Sequence, residues 1–186
     1  MHDSLLRRNV NYSELSPQAL LVEVCRVLDA WHIVEDAGNN RSKNGAVEWL
    51  QETIYGADGE AYCMSTVQSE TALVEHFLQK TSNLPASEGC VDTWRQAQKR
   101  NLVLLSAMSQ QVQPGDIAVW KQFESDSGHT GRVIVARADG TFQCFEGNTS
   151  GAKGVEREGG GAFMKERDRQ PSGKLYLLGF IRETFA

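Results

Sequence analysis

From residue 17 onward, apolar side chains recur at Leu20, Leu21, Val24, Val27, Leu28 and Trp31, the three-and-four spacing of a helix that buries one face. Ser16 followed by Pro17 supplies an N-cap and a proline at the first helical position, so the helix begins there. The stretch Glu35 to Asn44 is dense in Asn, Asp, Gly and Ser and reads as a loop, with a second helix expected from Ala46 to Tyr55. Apolar positions at Val67, Ala72, Leu73 and Phe77 predict a third helix with Cys63 in its first turn and Asp58 or Glu60 placed to cap it. A more polar fourth helix is expected over Val91 to Arg100.

After Val112 the period changes. Short β-branched and aromatic runs follow, IAVWKQF, RVIVARADGTFQCFEG and KLYLLGFIRE, separated by Gly-rich turns. Asp139-Gly140 is the dipeptide of a type I′ turn, so the middle run reads as a hairpin. The stretch Ser150 to Gly161 reads as a flexible loop. Helices first and an antiparallel sheet afterwards is an α+β pattern.

At 186 residues, with 40% hydrophobic side chains, the chain can bury a core as one domain without disulfide or metal staples. Residues 1–15 are expected to form a flexible N-terminal segment. The formal net charge of -5 provides no broad basic field, which argues against nucleic acid or an anionic membrane as partner. No apolar run is long enough for a membrane span or a signal peptide, so synthesis in the cytoplasm without a leader is expected.

The four cysteines, Cys25, Cys63, Cys90 and Cys144, form no closely spaced pair, and without export they are expected as free thiols. Cys63 is set apart by its place at a helix start, where unpaired backbone N–H groups favour the thiolate. Cys25 and Cys144 lie on apolar-periodic segments and Cys90 follows a loop, so these three read as small buried hydrophobes.

A thiolate nucleophile needs an imidazole, and the imidazole needs a group that fixes its tautomer. Of the four histidines, His129 stands at a strand start between Gly128 and Gly131, where other groups can come close. If the hairpin forms, Glu146 ends beside that strand and is a candidate to orient the ring, with Asn148 as the competing residue. Cys63, His129 and Glu146 are also zinc-competent, but no HExxH, paired histidines or cysteine cluster supports a metal. The glycines at 159–161 lack the Lys-Ser or Lys-Thr of a phosphate loop.

Four ordered segments, EDAGNNRSKNGAVEWLQETIYG, GEAYCMSTVQS, VQPGDIAVWK and SGHTGRV through FEGNTS to LLGFIR, resemble the CHAP family of cysteine, histidine-dependent amidohydrolases and peptidases. The resemblance runs from about Glu35 to Arg182. It implies a papain-like fold, with N-terminal helices packed on a C-terminal antiparallel sheet. It also implies Cys63 as nucleophile, His129 as base and Glu146 as orienting acid, with Asn148 adjacent. Asn40 is implied as support for substrate or oxyanion, and Tyr62 as an aromatic wall where relatives carry Trp before the cysteine. Between Asn101 and Gln113 the chain is longer than the family pattern, room for a short extra strand.

Proteins similar to this one are mostly phage endolysins and wall-remodelling or antibacterial effector enzymes. The implied partner is bacterial peptidoglycan, reached after holin- or secretion-system-mediated release, by a monomer that needs no cofactor and, for an effector, has an inhibitor or immunity protein as counterpart. The Asp36–Asn40 cluster offers oxygens of the kind calcium takes, although a solvated loop is the plainer reading. The rival readings are a cysteine-dependent acyl transferase or deamidase acting on a protein, which would use the same machinery, and a non-catalytic peptide-binding module that keeps only the fold.

Overall fold

The computed structural model describes residues 11–36, 39–53, 58–151 and 159–186. Four helices, α1 (Pro17–Ala30), α2 (Ala46–Glu52), α3 (Cys63–Leu78) and α4 (Cys90–Lys99), precede six strands. The strands are β1 (Val103–Ser106), β2 (Ile117–Gln122), β3 (Gly128–Ala136), β4 (Phe142–Thr149), β5 (Gly161–Arg167) and β6 (Leu175–Arg182). They form one sheet in the order β1-β6-β2-β3-β4-β5, every neighbouring pair antiparallel. The α+β arrangement is the one the change of period indicates.

Helix α1 starts as its sequence dictates. Ser16 Oγ accepts from the Ala19 N–H at 3.2 Å, and the five apolar positions from Leu20 to Leu28 are all buried. They meet Val47, Leu50, Tyr62 and Val74 from α2 and α3, and Ile134 and Phe145 from the sheet, in one apolar cluster. Cys63 is the first residue of α3, with Tyr62 as N-cap and no capping side chain, so neither Asp58 nor Glu60 does the expected task. The sheet's opposite face carries Trp120, Val133, Phe142, Cys144 and Phe180, packed against Ala107 and Val112. Strand residues therefore alternate between two buried faces.

Several expectations change. The β3–β4 turn is not type I′. Only Gly140 has positive φ, at 89°, and its N–H bonds Arg137 O at 3.0 Å, the pattern of a type I turn closed by a glycine bulge. Of the expected N-terminal segment, residues 1–10 lie outside the described residues, Tyr12–Glu14 make a 3-10 turn, and Tyr12 stacks on Phe77 at 6.1 Å between centroids. Helix α2 ends at Glu52; the expected end at Tyr55 lies outside the described residues. The loop expected over Ser150 to Gly161 lies largely outside them too, but Gly161 opens β5, a strand absent from the sequence reading. Strand β1 occupies the extra length after Asn101.

Candidate active site

Two close approaches bring α3 and the sheet together. A Cβ on Gly147 would lie 1.9 Å from Thr66 Oγ1, so the bare backbone of β4 lets α3 sit directly against it. A Cβ on Gly131 would lie 2.4 Å from Glu146 Cγ, so the missing side chain is the space through which Glu146 crosses toward His129. Glu146 Oε2 meets His129 Nε2 at 2.8 Å. Asn148, the competing candidate, sits one step further at a break in the β4–β5 register, with φ 53°, and its backbone bonds the Tyr62 hydroxyl. The geometry thus gives the imidazole to Glu146.

With Nε2 engaged by Glu146, Nδ1 is the nitrogen left for Cys63. Nδ1 has no hydrogen-bond partner among the described residues, while Cys63 and His129 each shift the pKa of the other. A long or poorly aligned contact between nucleophile and base is common before substrate binds. The Cys63 pKa falls well below its ordinary value. A hydrogen bond from Cys90 is the largest cause, and His129 adds to it against the opposing effect of burial. Burial alone would depress His129, but Cys63 and Glu146 outweigh it and raise the imidazole pKa to about 9. Both shifts favour the thiolate and imidazolium form of the pair.

The carboxylate is held in turn. Burial would raise the Glu146 pKa, but Arg167 and His129 overcome that and keep it low. Arg167 Nε donates to Glu146 Oε1 at 2.6 Å, while its Nη2 bonds Oε2, a two-pronged grip that a lysine cannot reproduce. Trp120, paired with His129 across β2 and β3, lies 5.9 Å from the imidazole, and the Arg167 guanidinium stands over the same indole at 5.9 Å. The set is dry: Cys63 and Arg167 keep 4% exposure, His129 and Glu146 none. Excluding water strengthens each of these interactions.

The remaining expected residues support this set from behind. Tyr62 is wholly buried, so it forms no wall facing a cleft. Its hydroxyl donates to Glu35 Oε1 at 3.1 Å, and burial pushes its pKa far up. Asn40 gives its backbone N–H to Glu35 Oε2 at 2.9 Å and its amide to Gly59 O at 3.4 Å, in a left-handed conformation with φ 57°. Through Glu35, Asn40 thus ties its loop to the residue that precedes the nucleophile. Among the described residues no group of His, Cys, Asp and Glu is arranged to hold a metal, and part of the Asp36–Asn40 cluster lies outside them.

Three residues escaped the sequence reading. Arg167 lies on β5, whose MKERDR texture reads as solvated surface. Trp120 stood within a quoted motif but had no assigned task. Cys90 is buried in an apolar cluster as its sequence indicates, but it is also the first residue of α4, and its sulfur lies 3.3 Å from that of Cys63. The signal that singled out Cys63, a cysteine at a helix start, applies equally to Cys90.

No curated protein matches the chain. The family model for the CHAP domain matches residues 54–148, just over half of the 186 residues, and that span contains Cys63, His129, Glu146 and Asn148. The chain belongs to the CHAP family, whose members are cysteine- and histidine-dependent amidohydrolases and peptidases.

Proposed function

We propose that this protein hydrolyses amide bonds in the stem peptides of bacterial peptidoglycan, either within the peptide or at the muramoyl-alanine bond, as a phage lysin or an antibacterial effector. The observation that carries the reading is the opposed displacement of two pKa values at one dry site, Cys63 downward and His129 up to about 9, with Glu146 on the far nitrogen of the ring. Titrating groups pushed apart in this way are the signature of a nucleophile and its proton carrier.

The Cys63 thiolate attacks the scissile carbonyl and forms a tetrahedral intermediate. Its oxyanion is met by backbone N–H groups of the first turn of α3, which that helix leaves unbonded. The His129 imidazolium delivers its proton to the departing amine, and the acyl group stays on sulfur. The now neutral imidazole takes a proton from water, whose oxygen attacks the thioester and frees the acid. Glu146 holds the ring's tautomer and steadies its positive charge, and Arg167 holds Glu146.

Digestion of purified sacculi tests the reading. Wild type should release muropeptides whose masses identify the cut bond, and Cys63→Ala should release none. Sacculi left intact by the wild type, across several wall chemistries, would contradict it.

A further inference from the structure

The thiols of Cys63 and Cys90 each stand at the first position of a helix, α3 and α4, and the two helix starts aim their sulfurs at one another at 3.3 Å. Such proximity is not needed to pack two small side chains. Cys25 and Cys144 fill core space, and burial pushes both of their pKa values well up, which disfavours the reactive thiolate. Cys63 has the opposite character. Neither Cys63 nor Cys90 is in a disulfide in this structure, and they are 4% and 5% exposed.

We infer that Cys63 and Cys90 are a modification site for peroxide-class oxidants, closing into a disulfide that removes the nucleophile reversibly. The Cys63 thiolate attacks one peroxide oxygen. An S–O bond forms, the O–O bond breaks, and the departing hydroxide takes the proton held on His129. Cys63 is now a sulfenic acid. The Cys90 sulfur attacks it, an S–S bond forms, the S–O bond breaks, and water leaves with the Cys90 proton. Two thiol sulfurs are oxidised by one peroxide, which is reduced to water.

A disulfide bond is about 2.05 Å long, so the sulfurs must approach by roughly 1 Å, a distance within reach of side-chain rotation at two helix starts. A thiol-based reductant reverses the change by attacking the S–S bond and expelling Cys63 as thiolate. Cys90 thereby protects as well as silences. A lone sulfenic acid would proceed to the irreversible sulfinic acid.

That closure silences catalysis rests on the function proposed above; that it occurs does not. The reduced full-length protein is treated with a several-fold excess of hydrogen peroxide, quenched and analysed by intact mass and peptide mapping. The expected product has lost two hydrogens and gives one cross-linked peptide, Cys63 to Cys90, which dithiothreitol splits. Cys90→Ser, with its fold checked by circular dichroism, should instead carry added oxygens on Cys63 that dithiothreitol does not remove. Should Cys90→Ser not fold, the wild-type peptide map alone decides. Direct conversion of wild-type Cys63 to sulfinic acid, or a cross-link between any other pair, overturns the inference. A cross-link in a protein that leaves sacculi intact upholds the site and contradicts only the hydrolase reading.

Discussion

Two buried charge networks are built around strand β3, three residues apart and so on opposite faces of the sheet. On one face His129 joins Cys63, Glu146 and Arg167. On the other, Arg132 bonds Glu70 Oε2 at 2.9 Å, Thr71 Oγ1 at 2.9 Å, Val67 O at 3.2 Å and the carboxylate of Glu183, binding α3 to β3 and β6. The first network sets His129 and Arg167 beside Cys63 and Glu146, and the thiol and imidazole pKa values are driven in opposite directions. The second sets one arginine against two carboxylates. Its surplus is relieved at Glu70, where burial outweighs Arg132 and lifts the pKa to about 7. On one face the hydrogen bond from Cys90 and the neighbouring His129 make a reactive thiol, and on the other the burial of Glu70 and Glu183 around Arg132 makes a fixed support.

That contrast can be broken at either end. The largest effect is expected at the reactive face: Cys63→Ala and His129→Ala should each lower activity by roughly four orders of magnitude or more, as measured by turnover on sacculi or a peptide substrate. Cys63→Ala should leave the melting temperature little changed, while His129→Ala should lower it, since it takes a fully buried ring from beside Glu146.

Arg132→Met should do the reverse. It strands two buried carboxylates and should cost about 3–5 kcal/mol of stability in chemical denaturation, with activity lost only as far as the fold is lost. A folded, fully stable Arg132→Met that is inactive would erase the distinction between the networks.

A third test uses pH. Glu70 has a folded pKa of about 7 against an ordinary 4.5, so the folded state holds its proton more tightly than the unfolded chain does. The favourable contribution is complete below pH 4.5 and is lost as pH rises through 7. Glu70→Gln should remove that dependence, changing the stability gap from wild type by roughly 3 kcal/mol across the window. Activity should follow other groups, with its alkaline limb near pH 9, where the His129 imidazolium loses its proton. The smallest effect is expected from Arg167→Lys. It keeps the charge but loses the fork on Glu146, and should lower turnover about tenfold with the protein still folded.

The extent to which the molecule can be read from its sequence follows the same division. Cys63 and His129 were legible because each stands at an element's start with a local signature, and α1 because its cap and periodicity agree. From the residues alone Glu146 was legible only through the hairpin, with Asn148 competing, and the resemblance favoured Glu146; the Gly131 opening is what lets its carboxylate reach His129. Arg167 and Arg132 were illegible. Burying a guanidinium requires partners from distant segments, Glu146 for one and Glu70 with Glu183 for the other, which no local pattern announces. Strand β5 was hidden for the same reason, since its charged residues read as surface until Arg167 and Lys165 are seen to be buried.

The account depends on an ion pair between the Cys63 sulfur and the His129 ring, and the pH dependence of iodoacetamide alkylation at Cys63, followed residue by residue by mass spectrometry, measures it directly. Cys63 should react ahead of Cys25 and Cys144 at neutral pH, with a midpoint well below 9 that moves upward in His129→Ala. Slow labelling of Cys63 that rises only above pH 9, unchanged by loss of the histidine, would contradict it.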